Sequence, residues 1–247
     1  MVTRRRVTTR LYISPRRHKP NTPLANALKY KSPPIQHPCL KPTKPRAACV
    51  PPIGHELDYY YIFASMIDDI VAYNKSFVAA KGYEKYITSK YPDKRLAILS
   101  CMDTRLTELL PAALGIRNGD AKIIKNAGGV ILHPFGSVMR SLLVAVYELG
   151  VEDIMVVAHS HCGACHMNGA EMREHMRSRG ITDDTLCLVE HCGIDLDHWL
   201  EGFHDTPESV RKTVDAIRNH PLMPSDVCVR GFIIDSTTGE LSPVRQE

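Results

Sequence analysis

Two short clusters carry the side chains best suited to chemistry: Cys101-Met102-Asp103-Thr104-Arg105 and His159-Ser160-His161-Cys162-Gly163-Ala164-Cys165. Cys101, His159 and Cys162 offer two thiolates and one imidazole, a donor set that suits zinc. Three protein ligands leave a fourth coordination position open, which marks a catalytic rather than a structural zinc site. His161 sits inside the second cluster, where it is either a proton shuttle near neutral pH or a solvent-facing side chain.

Each cluster must be placed by the element before it. Leu96-Ala97-Ile98-Leu99-Ser100 is a short apolar run that reads as a buried strand, and Asp153 to Ala158 reads as another. Ligands in open α/β sheets collect beyond the carboxyl ends of strands, so a Cys leaving one strand and a His-x-x-Cys leaving another can converge. Between them the sequence predicts a helix from Leu106 to Leu114, closed by Gly115, and a strand from Ala121 to Lys125. Ala127-Gly128-Gly129 follows as a loop where backbone can approach something closely: the glycines either only permit a tight turn or, near a metal, offer backbone N–H groups to a ligand. A helix then begins at Pro134 and ends at Gly150. Helical patterns occupy about 168–178, 190–203 and 206–219, and a last strand runs from Val227 to Asp235. Thr238-Gly239 turns the chain into Leu241–Val244, and Ile67 to Ser89 suggests one or two amphipathic helices. The alternation predicts an α/β fold: a mainly parallel central β-sheet flanked by helices, with an N-terminal helical arm.

Other uses of the cysteines compete. Cys162 and Cys165 form a C-x-x-C that could join Cys187 and His191 or Cys192 in a structural zinc knuckle. That grouping leaves Cys101-x-Asp-x-Arg unexplained. A redox pair at 162 and 165 has the same weakness, and Cys165 reads better as a packed thiol on the helix after the motif. A zinc deaminase needs His-x-Glu and a later Pro-Cys-x-x-Cys, neither of which is in place. No G-x-G-x-x-G or Walker-type loop supports nucleotide binding.

The order of motifs is more specific than any one of them. Cys101-Met102-Asp103-Thr104-Arg105, Gly119-Asp120, Asn126-Ala127-Gly128-Gly129, His159-Ser160-His161-Cys162-Gly163 and Arg230-Gly231-Phe232-Ile233-Ile234-Asp235 follow one another with spacings that resemble the β-carbonic anhydrases. The resemblance covers about residues 67–245 and is closer to a short bacterial branch than to the plant-type one. It implies one Zn2+ per chain on Cys101, His159 and Cys162. It also implies a catalytic dyad in which Arg105 grips Asp103 through a bidentate pair. The implied reaction is reversible hydration of CO2 to bicarbonate by attack of zinc-bound hydroxide, with Gly128 and Gly129 as candidate substrate-binding backbone and His161 as candidate proton shuttle. In some members the aspartate instead closes the site as fourth ligand, a second role open to Asp103. The family commonly has Arg before Asn-Ala-Gly; here Lys125 keeps the charge without the planar fork. The rival readings are hydrolysis of CS2 or COS at the same site and a non-catalytic zinc-binding module. The module would carry a broken dyad, whereas Asp103 and Arg105 are both present. The resemblance further implies a homodimer or homotetramer, with the arm crossing onto its partner.

The 247 residues are 44% hydrophobic and 23% charged, ordinary globular composition. Their charge is uneven. Residues 1–55 hold 12 Lys/Arg, ten prolines and no acid, whereas the remainder holds 19 basic and 27 acidic residues. The net charge of +4 therefore belongs to the tail and gives no reason to expect nucleic-acid binding by the core. Residues 1–65 are expected to be a basic, Pro-rich, disordered extension, with residues 66–247 forming the zinc domain. In the bacterial branch the chain tends to begin near a segment like Met66-Ile67-Asp68, so an upstream start is one origin for the extension. Its Arg-rich, acid-free composition also fits organelle targeting. No apolar run is long enough for a membrane span, and eight cysteines are too few for a disulfide scaffold, so a reducing, cytoplasmic setting is expected.

Overall fold

Near-continuous apolar runs make strands that are buried on both faces, the pattern of a parallel sheet covered by helices. The computed structural model describes residues 66–245. The basic extension over 1–65 lies outside the described residues. Five strands form one sheet: β1 (Leu96–Cys101), β2 (Ala121–Asn126), β3 (Asp153–His159), β4 (Cys228–Ile234) and β5 (Leu241–Pro243). Their order is β2-β1-β3-β4-β5; the first four strands are parallel and β5 is antiparallel to β4. The chain leaves β1 toward β2 on one side and resumes at β3 on the other. The carboxyl ends of β1 and β3 thus form the topological switch point, where this class of sheet binds its ligands.

Side-chain alternation divides the core. Ala97, Leu99, Ile154 and Val156 pack with Met139 and Leu142 of α3 (Ser137–Leu149) and with Val210, Val214 and Ile217 of α7 (Thr206–Arg218). Ile98 and Val157 face the other way, onto Leu106 and Leu110 of α2 (Leu106–Ala113). Both ligand-bearing strands are therefore clamped between helices, with Ile98, Leu99, Val156 and Val157 fully buried.

Gly150 ends α3 in the left-handed conformation (φ 70°), as its position predicts. The helix starts at Ser137 rather than Pro134, because a turn closed by Gly136 N–H to the His133 carbonyl (3.0 Å) intervenes. The link from β3 to β4 differs more. In place of one helix over 190–203 there are α5 (Asp183–His191) and α6 (Leu196–Leu200), after α4 (Gly169–Ser178). Thr182 caps α5 by accepting from Thr185 N–H, Asp195 caps α6 from His198 N–H, and Gly193 (φ 88°) breaks the chain between them. Cys165 precedes α4 and lies on an isolated bridge to Phe203, so it is not a helix thiol. At the other end, α1 (Met66–Ala79) buries none of its residues; Ile67 and Ile70 stay 69% and 61% exposed. Among the described residues no helix is long and apolar enough to cross a membrane.

Candidate metal centre

Cys101 is the last residue of β1 and His159 the last of β3. The ladders continue one step past them: Met102 N–H donates to the Asn126 carbonyl (2.9 Å) and Ser160 N–H to the Ile234 carbonyl (3.0 Å). Ligand positions fixed by sheet register have little freedom. After His159 the chain turns through His161, which adopts left-handed backbone (φ 53°), and brings Cys162 back. The ligand atoms of Cys101, His159 and Cys162 then lie within 4.8 Å of one another, and all three residues are buried. Among the described residues this is the one group of three or more such donors. Cys165, Cys187, His191 and Cys192 are not part of it, which removes the support for a zinc knuckle.

The donor atoms fit a zinc ion. The two sulfurs are 3.8 Å apart, and tetrahedral bonds of ~2.3 Å from zinc set sulfurs about 3.8 Å apart. His159 is fully buried, and its Nδ1 lies 2.9 Å from the Ser160 carbonyl. That contact makes Nδ1 the protonated nitrogen and leaves the Nε2 lone pair facing the sulfurs. Among the described residues Nε2 has no hydrogen-bond partner, an arrangement that is costly unless a cation takes the lone pair. Burial, and next the neighbouring Cys101, push the Cys162 thiol up to about 11. A divalent cation reverses that preference, because coordination holds the sulfur as thiolate.

Asp103 and Arg105 flank this group. Arg105 donates from Nε to Asp103 Oδ1 (2.9 Å) and from Nη2 to Oδ2 (2.8 Å), and its backbone N–H adds a third bond to Oδ1 (3.0 Å). The Arg105 side-chain bonds, more than any other cause, hold the Asp103 carboxyl well below the usual carboxylate range. Arg105 Nη2 also donates to the His161 carbonyl (2.9 Å), tying the first cluster to the second. Asp103 Oδ2 stands 3.8 Å from His159 Nε2, beside the three donors.

Gly129 packs against the end of β1. A Cβ there would meet Cys101 N and Ser100 C at 3.0 Å, and its φ of 67° is left-handed, so glycine is demanded twice over. Gly128 lies against Phe203 and Ala164. His161 is exposed and meets the group only through its backbone carbonyl. Lys125 Nζ donates to the Leu106 carbonyl (3.1 Å), so it braces the start of α2.

Ser160, Asp235 and Ser236 are additions that sequence reasoning missed. The Ser160 carbonyl takes both His159 Nδ1–H and the Ser236 hydroxyl (3.2 Å), while the Ser160 hydroxyl bonds Asp235 (3.3 Å) and accepts from Ser236 N–H (3.0 Å). The available signal was the Asp-Ser-Thr-Thr-Gly turn after β4, which register places beside His159.

Comparison with known proteins places this chain in a family. Residues 96–241 match the protein family described as carbonic anhydrase. The Bacillus subtilis (strain 168) protein YvdA, whose carbonic anhydrase name is provisional, is 51% identical over 178 residues, covering 72% of this chain and 90% of its own length. A carbon disulfide hydrolase of Acidithiobacillus thiooxidans is 28% identical over 182 residues, covering 69% of this chain and 82% of its own. Among solved structures, the β-carbonic anhydrase TvaCA1 of Trichomonas vaginalis superposes with a TM-score of 0.67 at 31% identity, covering 74% of this chain and 98% of that one. With its sheet order, its Cys/His/Cys group and the family match across most of the described residues, this chain belongs to the β-carbonic anhydrase family.

Proposed function

We propose that this protein catalyses the reversible hydration of CO2 to bicarbonate, with one zinc ion held by Cys101, His159 and Cys162. The observation that carries the reading is the pairing of a buried S,S,N donor group with an arginine-clamped aspartate next to it. Zinc, when bound, supplies the positive charge that brings the pKa of a water molecule from ~15.7 toward ~7. Asp103 stays ionised at working pH, accepts a hydrogen bond from the attacking water and directs its lone pair at CO2. Arg105 aims Asp103 and engages both its oxygens, so the closed state would compete with the guanidinium for the carboxylate. The Gly128-Gly129 backbone offers N–H groups to the forming bicarbonate, and His161, exposed at the rim, carries the released proton to buffer. The apolar face of α1, exposed among the described residues, is assigned to a second copy of this chain, making the protein a homo-oligomer. The free thiols among the described residues suit a reducing, cytoplasmic setting.

Hydrolysis of CS2 is the second reading, because named carbon disulfide hydrolases are among the relatives. Stopped-flow CO2 hydration from pH 6.5 to 9, with zinc analysis and the Asp103→Ala variant alongside, tests the choice. Fast hydration with one zinc per chain and a large loss in the variant is expected. Stoichiometric zinc with no hydration at any pH would sink the CO2 reading, and turnover of CS2 or COS would then put the second in its place.

A further inference from the structure

Beyond Cys162 the chain forms a strap whose histidines the reaction does not use. Residues 164–167 run alongside 202–204: Phe203 N–H donates to the Ala164 carbonyl (3.2 Å), His166 N–H to the Phe203 carbonyl (2.8 Å) and Gly202 N–H to the Met167 carbonyl (2.8 Å). This small ladder fixes the positions of His166 and His204. Their Nδ1 atoms face each other at 3.3 Å. Both residues are exposed, so burial does not force the two rings together. His166 reaches its place in left-handed backbone (φ 64°), an uncommon conformation for a residue with a side chain.

The far side of His204 is occupied as well. Its Nε2 lies 3.7 Å from Glu201 Oε1. At that distance the carboxylate acts by charge rather than through a hydrogen bond; it favours a proton on the outer nitrogen, leaving the inner lone pair for an ion, and its negative charge favours a cation beside the ring. Two imidazole nitrogens bound to one tetrahedral ion at ~2.05 Å stand about 3.3 Å apart.

We propose that His166 and His204, with Glu201 behind His204, form a second, surface site for a borderline divalent transition ion such as Zn2+ or Ni2+. Solvent supplies the remaining ligands, so binding there is weaker and faster to exchange than at the buried Cys/His/Cys group. The alternative is a direct N–H···N hydrogen bond between the rings, which needs no ion.

Ni2+ binding distinguishes the two. The full chain, carrying no affinity tag and already holding one zinc per chain, is titrated with Ni2+ by calorimetry. The wild type is expected to take up one more ion per chain than His204→Ala does. His166→Asn, which tolerates left-handed backbone, is expected to lose the same ion, and Glu201→Gln to weaken its binding roughly ten-fold. Zinc content at the first site and circular dichroism should match the wild type in all three variants. Identical Ni2+ uptake by wild type, His204→Ala and His166→Asn would overturn the proposal and leave the ring–ring hydrogen bond as the whole account.

Discussion

The carboxyl end of β3, which joins that of β1 in the metal group, lies just before the α4–α6 segment in the chain, yet the strand ends and that segment are held together by different physics. At the strand ends, Ser100 and His159 are fully buried, the Ser100 hydroxyl donates to the Val157 carbonyl (2.7 Å), and helices cover both sheet faces. The α4–α6 segment has a core of its own with only Leu186, Leu196 and Leu200 buried. Ion pairs surround it, from Arg173 to Glu190 and Asp197 and from Arg177 to Asp183 and Glu174. Exposed pairs of this kind contribute at most about 1 kcal/mol each. The difference teaches that the metal group draws its geometry from the sheet, while the segment after it is an appendage. Substitutions at the two places should therefore separate cleanly in their effect on zinc and on turnover.

The largest effect belongs to the ligands. His159→Ala or Cys162→Ala should lower bound zinc to far below one per chain and hydration to background. Metal analysis beside stopped flow checks both, and retained stoichiometric zinc would break the ligand assignment. Next is Asp103→Ala, which should keep its zinc and lose about 10²–10⁴ in kcat/KM, the usual worth of a positioned proton-handling group. Arg105→Lys keeps the charge but gives up the fork, and should cost roughly 10- to 100-fold.

The same pair sets a pH dependence. The Asp103 pKa is depressed in the folded protein, so its contribution to stability is present above the unfolded carboxylate value of ~3.9 and is lost as pH falls below that. Arg105→Ala should therefore be destabilised relative to wild type at neutral pH, with the gap closing on acidification below ~4. Denaturant melts across that window measure it, and a gap that widens in acid would show that Arg105 acts through some other contact.

Most of the strand-end region was legible in the sequence because it is local. Apolar runs of five or six residues identify β1 and β3, and the donors sit immediately at their ends. What sequence left out is contact over long separation: Ser160 and Ser236 meet across 76 residues, and His166 and His204 across 38. Neither pairing leaves any periodic trace. The α4–α6 segment was misread for a different reason. Its helices are short and weakly apolar, so their limits are set by the caps at Thr182 and Asp195 and by Gly193, and the hydrophobic pattern blurs across those joints. The close approach of Gly129 to the Cys101 backbone is likewise a long-range contact, which residue type and spacing do not reveal.

That contact gives a smaller and sharper comparison between two glycines. Gly129→Ala puts a Cβ at 3.0 Å from Cys101 N in left-handed backbone. It should cost about 2–4 kcal/mol and shift Cys101 enough to reduce kcat several-fold. Gly150→Ala, also left-handed (φ 70°) but with nothing within 4 Å of the added carbon, pays only the backbone cost of about 1–2 kcal/mol and should leave kcat unchanged. Thermal melts and initial rates on the two variants decide the matter. Equal rates would mean that the strand end yields without disturbing the ligand.

The smallest effect on turnover is expected from the appendage itself. Leu186→Ala removes one of its three buried side chains, a change that costs about 2–5 kcal/mol where the site cannot collapse. A core this small has little stability to lose, so residues between α4 and α6 should open locally while the sheet stays folded. The strap limits how far that opening spreads. Cys162 is held on its own side by Cys165 N–H donating to the Cys162 carbonyl (3.0 Å), and α7 is anchored on β3 and β4 by Val210, Val214 and Ile217. Amide exchange should therefore rise across 169–200 and remain slow in β1, β3 and α7, with zinc at one per chain and CO2 hydration within about two-fold of wild type. If zinc is lost together with protection in α4–α6, the segment is no appendage but a structural part of the metal centre, and the contrast between the two regions fails.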